Sequence, residues 1–439
     1  MTPATLTNTK RSVGFLTGLC AFILGANLVW VSYNSILLPT LVEKVVTESR
    51  GLVVGLVGFF GSMLALLVSI LWGIISDHTT SRWGKRTPAI LVGAVLALPF
   101  IVLPSLILSP ELKGSVIPLA LSIIVTGYLG MQFFSNVGNG AWWPLLVDMV
   151  PENQRGLTSG IGGFLTLLGA AGGFLLVTRL NQDGQTGVAL WLIGGVFALS
   201  GIVNAVVIKG KDKPADPSEH ISVWGAMQEM FKVRTLVVVF FWLLLAAFLA
   251  NMGINSLQFF ARYFFEVYFP AINPDAGLRY MGGISLALTM LAAIGSGVLS
   301  DRIGRRALIL YAMFACALTT LLMGLTSNFT LFLIFVALRS IATGPILAIV
   351  PALASDLSPK DEAGRYMSYN NISTGLSGAF SSLIFGVLLV NLTKTTFMYL
   401  FIISAILFLI GGIVFSIKVP QRELDASLTP KLEVGGDAA

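Results

Sequence analysis

Charge is what this sequence has least of. Only 11% of its 439 residues are Asp, Glu, Lys or Arg, while 55% are hydrophobic and the mean hydropathy is +0.86. Soluble domains carry about 25% charged residues, so this chain lacks the polar surface needed to enclose its apolar residues in water. Cysteine and histidine are nearly missing as well. Cys20 and Cys316 both fall inside apolar runs and say nothing of a disulfide framework. His78 and His220 fall in polar connecting segments, so no His or Cys cluster stands ready to hold a metal or to run acid–base chemistry. These absences imply no metal, no cofactor and no enzyme.

Apolar runs of about 20 residues are abundant, the length that crosses roughly 30 Å of hydrocarbon. Twelve are expected, at 13–40, 51–76, 88–108, 117–148, 157–178, 188–208, 235–268, 279–300, 307–326, 330–355, 366–390 and 396–418. Backbone groups find no water partners in lipid, so each span should be helical, and the alternation of a membrane barrel is absent. With the N-terminus on the cytoplasmic side, the inner segments hold nineteen Lys and Arg and the outer ones six. That bias places both termini in the cytoplasm of a multi-pass protein of the cell (inner or plasma) membrane. The first span is too long for a secretory signal and is taken as retained. The net charge of +6 therefore reports topology and not a nucleic-acid partner; lipid is the expected surround.

The charges that exist are patterned. GIISDHTTSRWGKR (73–86) aligns with GVLSDRIGRR (297–306), matching Asp77 with Asp301 and Arg82, Lys85 and Arg86 with Arg302, Arg305 and Arg306. A second pair, PLLVDMVPENQRG and PALASDLSPKDEAGR, matches Asp148 and Arg155 with Asp356 and Arg365. The chain is thus a repeat: a six-helix half at 1–208, a cytoplasmic linker with a short amphipathic helix at 209–234, a second half at 235–418 and a tail at 419–439. A carboxylate at a helix end facing a guanidinium cluster can form a charge network that breaks and re-forms between conformations. Asp77, Arg82, Arg86, Asp148, Arg155, Asp301, Arg302, Arg305, Asp356 and Arg365 are its expected members.

The doubled Gly-x-x-x-Asp loop with its basic cluster resembles the signature of the major facilitator superfamily. The loop SDHTTSRWGKRTP and the stretch WVSYNSILLP resemble its sucrose-transporter and glycoside-pentoside-hexuronide cation symporter branch. The resemblance implies an all-α fold of two pseudo-symmetric six-helix bundles around a cavity that opens alternately to each side, with the first, fourth, seventh and tenth helices lining it. The implied function is transport of a small polar solute, a sugar or glycoside.

Polar residues on those helices share faces. Gln132, Asn136, Asn139 and Trp143 follow i, i+4, i+7, i+11, as do Asn251, Asn255, Gln258 and Arg262. Asn27 and Asn34 share a face of the first helix, and Arg339 and Thr343 one of the tenth. Carboxamides both donate and accept, which suits vicinal hydroxyls. Their alternative role is to hold helices together. Counting back twelve residues from Pro144 and Pro351 reaches Gln132 and Arg339, so the two sit at equivalent depths. Arg339 is expected to face the aqueous cavity as a substrate ligand; the alternative is pairing to helix carbonyls.

The 34-residue seventh span is too long to cross straight, so a bend is expected near Asn251, Gly253 and Asn255. Beyond it, Arg262 and Glu266 at i, i+4 would form an outer gate. No Asp or Glu lies at mid-membrane depth in the first six spans. Cation symporters of the resembled branch rely on acids there, so proton or sodium coupling either runs through Glu266 or is absent. Two other functions compete. An efflux signature in the fifth span keeps Gly160, Gly169 and Gly173 but has Phe174 in place of proline, and a non-transporting receptor or assembly factor can share the fold.

Overall fold

The computed structural model describes residues 10–109, 117–212, 214, 225, 238–358 and 363–419. The expected amphipathic helix of the linker and the tail beyond residue 419 lie outside the described residues, as do the side chains of Asp301 and Arg365. Among the described residues twelve helices are long and apolar enough to cross a membrane: Val13–Val45, Arg50–Asp77, Thr87–Leu108, Ile117–Leu146, Arg155–Gln182, Thr186–Ile208, Val238–Asn255, Pro274–Ser300, Arg305–Leu325, Phe329–Asp356, Ser368–Leu388 and Lys394–Lys418. No strand occurs among the described residues.

The packing repeats with the sequence. In the first half, the first helix packs on the fifth and sixth, the second on the fourth, and the third on the fourth and sixth. In the second half, the seventh helix packs on the eleventh and twelfth, the eighth on the tenth, and the ninth on the tenth and twelfth. Adding six to each helix of the first set gives the second. The halves meet along two seams, second helix on eleventh and fifth on eighth, which are themselves exchanged by that shift. Gly55 and Gly386 let the first seam close: a Cβ on Gly386 would sit 2.6 Å from the Gly55 Cα. This contact lies toward the face opposite the termini.

The first and seventh helices are both irregular, for different reasons. Pro39 has no N–H to offer the Ser35 carbonyl, and just before it the helix widens over Tyr33–Leu37, with the Leu38 N–H bonding Tyr33. The chain continues as helix to Val45. In the seventh span the helix stops at Asn255, crosses turns at 256–260, and resumes as a short helix, Ala261–Tyr268. The expected bend is thus a full break.

Gly386→Leu should wedge the seam, costing about 1–3 kcal/mol as overpacking does, and lower the thermal midpoint by a few degrees. Gly295→Leu, where an added Cβ meets nothing within 4 Å, should not. Equal midpoints for the two variants would refute the close approach.

Candidate functional site

A cavity of about 270 Å³ opens in the first half, lined by Asn27, Trp30, Gln132, Asn136, Asn139 and Trp143 together with Ser135, Met131 and aliphatic neighbours. Five of the six polar residues singled out on the first and fourth spans therefore meet there. Among the described residues the lining holds no charged side chain. Trp30 and Trp143 present aromatic surface, 47% and 57% exposed. Asn27 and Asn136 spend one N–H each on carbonyls one turn back, Ile23 and Gln132, at 2.9 and 2.8 Å, and that bond fixes each side chain's direction.

Asn34 does not line the cavity. It lies behind it, 2% exposed, accepting from the Tyr128 hydroxyl at 2.9 Å, while the Gln132 amide donates to that hydroxyl at 3.4 Å. Gln132 thus ties the cavity wall to the widened turn of the first helix, which begins at Tyr33. Periodicity placed Asn34 on the helix but said nothing of the tyrosine opposite it.

Arg339 departs from the expectation that it faces open water. Its Nη2 donates to the carbonyls of Gly253 and Ile254 at 2.9 and 3.1 Å, the guanidinium stands 5.9 Å from the Phe408 ring centroid, and the side chain is absent from the cavity lining. The helix break supplies the reason: its freed carbonyls attract a cation. Thr343 is buried and donates to the Arg339 carbonyl at 2.9 Å. Asn251 donates to Ala247 one turn back at 2.9 Å. Asn255 ends the helix and Gln258 lies within the break, both partly exposed, and both also stand outside the lining.

On the face opposite the termini, the halves are joined by charge. Arg262 does not pair with Glu266 one turn on, as expected; it donates through Nε to Glu43 and through Nη1 to Asp275, both at 2.8 Å. Glu266 instead takes two bonds from Arg50, at 3.1 and 3.4 Å. The Asn181 amide donates to both oxygens of Asp275, at 2.9 and 3.1 Å, and to Thr40 at 3.2 Å. The Tyr263 hydroxyl reaches the Pro39 carbonyl at 2.9 Å. Three of these elements belong to one half and two to the other, because the break turns the short helix across the interface. Asp275 is only 5% exposed at its side chain. Sequence reading missed it, since it lies two positions after an N-capping Asn and looks like an ordinary first-turn acid.

On the termini face each half carries its own network. Arg86, 3% exposed, meets Asp77, Asp148 at 3.2 Å and the Ser76 hydroxyl at 2.9 Å, and Lys85 pairs with Asp148 at 3.0 Å. In the second half Arg305 pairs with Asp356, and Arg306 donates to the carbonyls of Ser416 and Val419. Gly84 and Gly304, aligned by sequence, share positive φ of 102° and 84°. Arg82 and Arg302 are exposed, and Arg155 opens the fifth helix. One residue was not foreseen. Asp212, at the start of the linker, accepts from the N–H groups of Arg86 and Thr87 at 2.8 Å each and from the Thr87 hydroxyl at 2.9 Å, capping the third helix from outside its own segment.

Twelve helices in two matched sets among the described residues, with an uncharged polar cavity and a charged cluster beyond it, define a multi-pass membrane protein. Residues 12–299 and 260–434 match the Major Facilitator Superfamily, and the chain belongs to that family. It is similar to a lactose permease of Lactobacillus helveticus, 24% identical over 175 residues, covering 38% of this chain and 26% of that one. It is also similar to the multi-drug resistance efflux pump PmrA of Streptococcus pneumoniae, 22% identical over 347 residues, covering 78% of this chain and 81% of the pump. The chain thus spans about a quarter of the permease's length and most of the pump's. A bacterial homologue of the human lysosomal transporter Spinster, solved inward-facing and unoccupied, shares the fold at TM-score 0.70 and 12% identity, with 96% of this chain and 100% of that one covered.

The charged seal and the linker cap can each be tested by substitution. Arg50→Glu or Glu266→Arg alone should loosen the seal and raise labelling of a Ser35→Cys reporter by an impermeant thiol reagent, whereas the double swap should restore protection. Labelling unchanged in the single variants would count against the pair. Removing the Asp212 cap in Asp212→Ala should cost about 1–2 kcal/mol, seen as a lower unfolding midpoint, with Asp212→Asn retaining part of it.

Proposed function

We propose that this transporter carries a neutral, polyhydroxylated small molecule, a sugar or glycoside, by alternating access. The observation that carries the reading is the cavity lining: four carboxamides and two tryptophans, with no charged side chain. Carboxamides donate to and accept from vicinal hydroxyls, and an indole face covers the apolar face of a sugar ring. Asn27, Gln132, Asn136, Asn139 and Trp143 are the proposed ligands, with Asn251, Asn255 and Gln258 meeting the solute from the other half when the halves close around it. The resemblance of two stretches to the sucrose and glycoside-pentoside-hexuronide branch supports the same class, as does the name of the lactose permease relative. The termini face is taken as cytoplasmic and the membrane as the cell membrane, on the Lys and Arg bias. The opposite-face clamp then closes the outside while the cavity serves the inside.

Coupling is constrained by where the acids lie. None of the described acids lines the cavity, so any proton or sodium coupling is placed at the clamp, through Glu266; otherwise transport is downhill. The similarity to an efflux pump over most of both chains favours one competing reading, export of amphipathic compounds, since exposed tryptophans also suit lipophilic cations.

A stability screen of the purified protein separates the two. Disaccharides, monosaccharides, glycosides and lipophilic cations are added separately; a ligand at a hundredfold excess over its Kd stabilises by about 2.7 kcal/mol. Stabilisation by a sugar class, lost in Gln132→Ala and Trp143→Ala, is the expected result. Stabilisation by lipophilic cations alone would replace the sugar reading with efflux. For coupling, uptake into vesicles should respond to an imposed pH or sodium gradient only while Glu266 is intact, or not at all; gradient-driven accumulation by Glu266→Gln would discard both options.

A further inference from the structure

The break in the seventh helix raises a question of backbone accounting. Each helix end leaves its last four carbonyls without intrahelical donors, and inside a lipid-enclosed bundle each must find another. Here the four are those of Met252, Gly253, Ile254 and Asn255. The Ser381 hydroxyl of the eleventh helix donates to Met252 at 3.2 Å. The Ser256 hydroxyl donates to Gly253 at 2.9 Å, and the Gln258 N–H to Asn255 at 3.0 Å. Ile254 has Arg339, whose Nη2 is shared with Gly253. The set is complete, and Arg339 is the one charged donor in it.

Charge at this point has a second effect. The carbonyl end of a helix carries partial negative charge that a cation stabilises, more so where water is scarce. The guanidinium therefore favours a helix that ends at Asn255 over one that runs on. Past the break, the short helix Ala261–Tyr268 carries Arg262 and Glu266 into the clamp with Glu43 and Arg50 of the other half. A continuous helix would carry those two side chains along the original axis, away from that crossing.

The structure assigns Arg339 as a positioning residue: by holding the freed carbonyls of Gly253 and Ile254 it keeps the seventh helix broken and so aims Arg262 and Glu266 across the interface. Its partner by sequence repeat behaves in parallel. Gln132, at the equivalent depth, reaches through Tyr128 to Asn34 in the widened turn of the first helix. In each half one polar side chain of the fourth-type helix steadies the irregular stretch of the first-type helix. The inference uses the clamp but not the identity of the solute, so it stands or falls apart from the sugar reading.

The test reads conformation directly. Spin labels are placed at Glu48→Cys and Ser327→Cys, exposed positions on the clamp face in opposite halves; both native cysteines are buried. Distance distributions are recorded in nanodiscs for the parent, Arg339→Ala and Arg339→Lys. The parent should show a dominant short distance. Arg339→Ala should shift at least a third of the population to longer distance, and Arg339→Lys, which keeps a cation at the helix end, should return most of it. A distribution for Arg339→Ala that superimposes on the parent overturns the assignment. So does an Arg339→Lys variant that stays folded yet matches Arg339→Ala. Should Arg339→Ala fail to fold, the Lys variant decides alone: a parental distribution supports the assignment and a shifted one refutes it.

Discussion

A broken helix in a lipid-enclosed bundle cannot leave its carbonyls bare, and much of this structure is arranged around that constraint. Met252 to Asn255 require four donors, and they draw on the eleventh helix through Ser381, on the tenth through Arg339, and on the turn itself through Ser256 and Gln258. Those donors fix where the seventh helix ends. Its end fixes the direction of the short helix beyond it, and that direction brings Arg262 and Glu266 against Glu43 and Arg50. A local hydrogen-bonding requirement is thereby converted into contact between the halves.

The two halves use one plan with different emphasis. Their helix pairings correspond one for one, and both carry an Arg–Asp network on the termini face and a glycine of positive φ in the same loop. They differ where the first helix of each half becomes irregular. In the first half the helix widens ahead of Pro39 and continues, and uncharged Gln132, Tyr128 and Asn34 suffice to hold it. In the second half the helix stops, more carbonyls are freed, and a guanidinium takes the place of the carboxamide. The difference in charge at equivalent depth thus matches the difference in backbone that each side chain serves.

Fold class was legible because its signals are long and repeated. Twelve apolar runs, a doubled Asp–Arg loop and a seventh run too long to stay straight need no tertiary knowledge. The cavity wall of the first half was legible for a similar reason: Gln132, Asn136, Asn139 and Trp143 sit on one regular helical face. Legibility ended where partners come from elsewhere in the chain. Arg262 was matched to Glu266 by helical spacing, yet at the break the stronger claims on each are long-range carboxylate and guanidinium partners. Arg339 was expected to face water because a lone membrane charge usually does, but helical periodicity cannot register carbonyls freed on a neighbouring helix. Asp212 and Asp275 read as a linker acid and a first-turn acid, since nothing near them in sequence reveals Thr87 or Arg262.

The placement of charge also bears on how such a molecule can move. Among the described residues the cavity wall is neutral, so its exposure to either side neither strands nor releases an ion; apart from Arg339 at the helix break, the ion pairs described above sit at the two ends, where they join helices. At the clamp each half holds an internal alternative for what it shares. Glu43 lies 2.8 Å from Arg262 across the interface and 4.0 Å from Arg50 in its own half. Arg262 bonds Asp275 within its half, and Glu266 has Arg262 one turn away on the same helix. Removing one partner of a buried pair is expensive because a bare charge remains. Exchanging partners would avoid that penalty: were the halves to part, Glu43, Arg50, Arg262, Glu266 and Asp275 would each have a neighbour of opposite sign within their own half. The seal can therefore be tight without being irreversible, and the break that aims Arg262 and Glu266 across the interface is what makes the exchange possible.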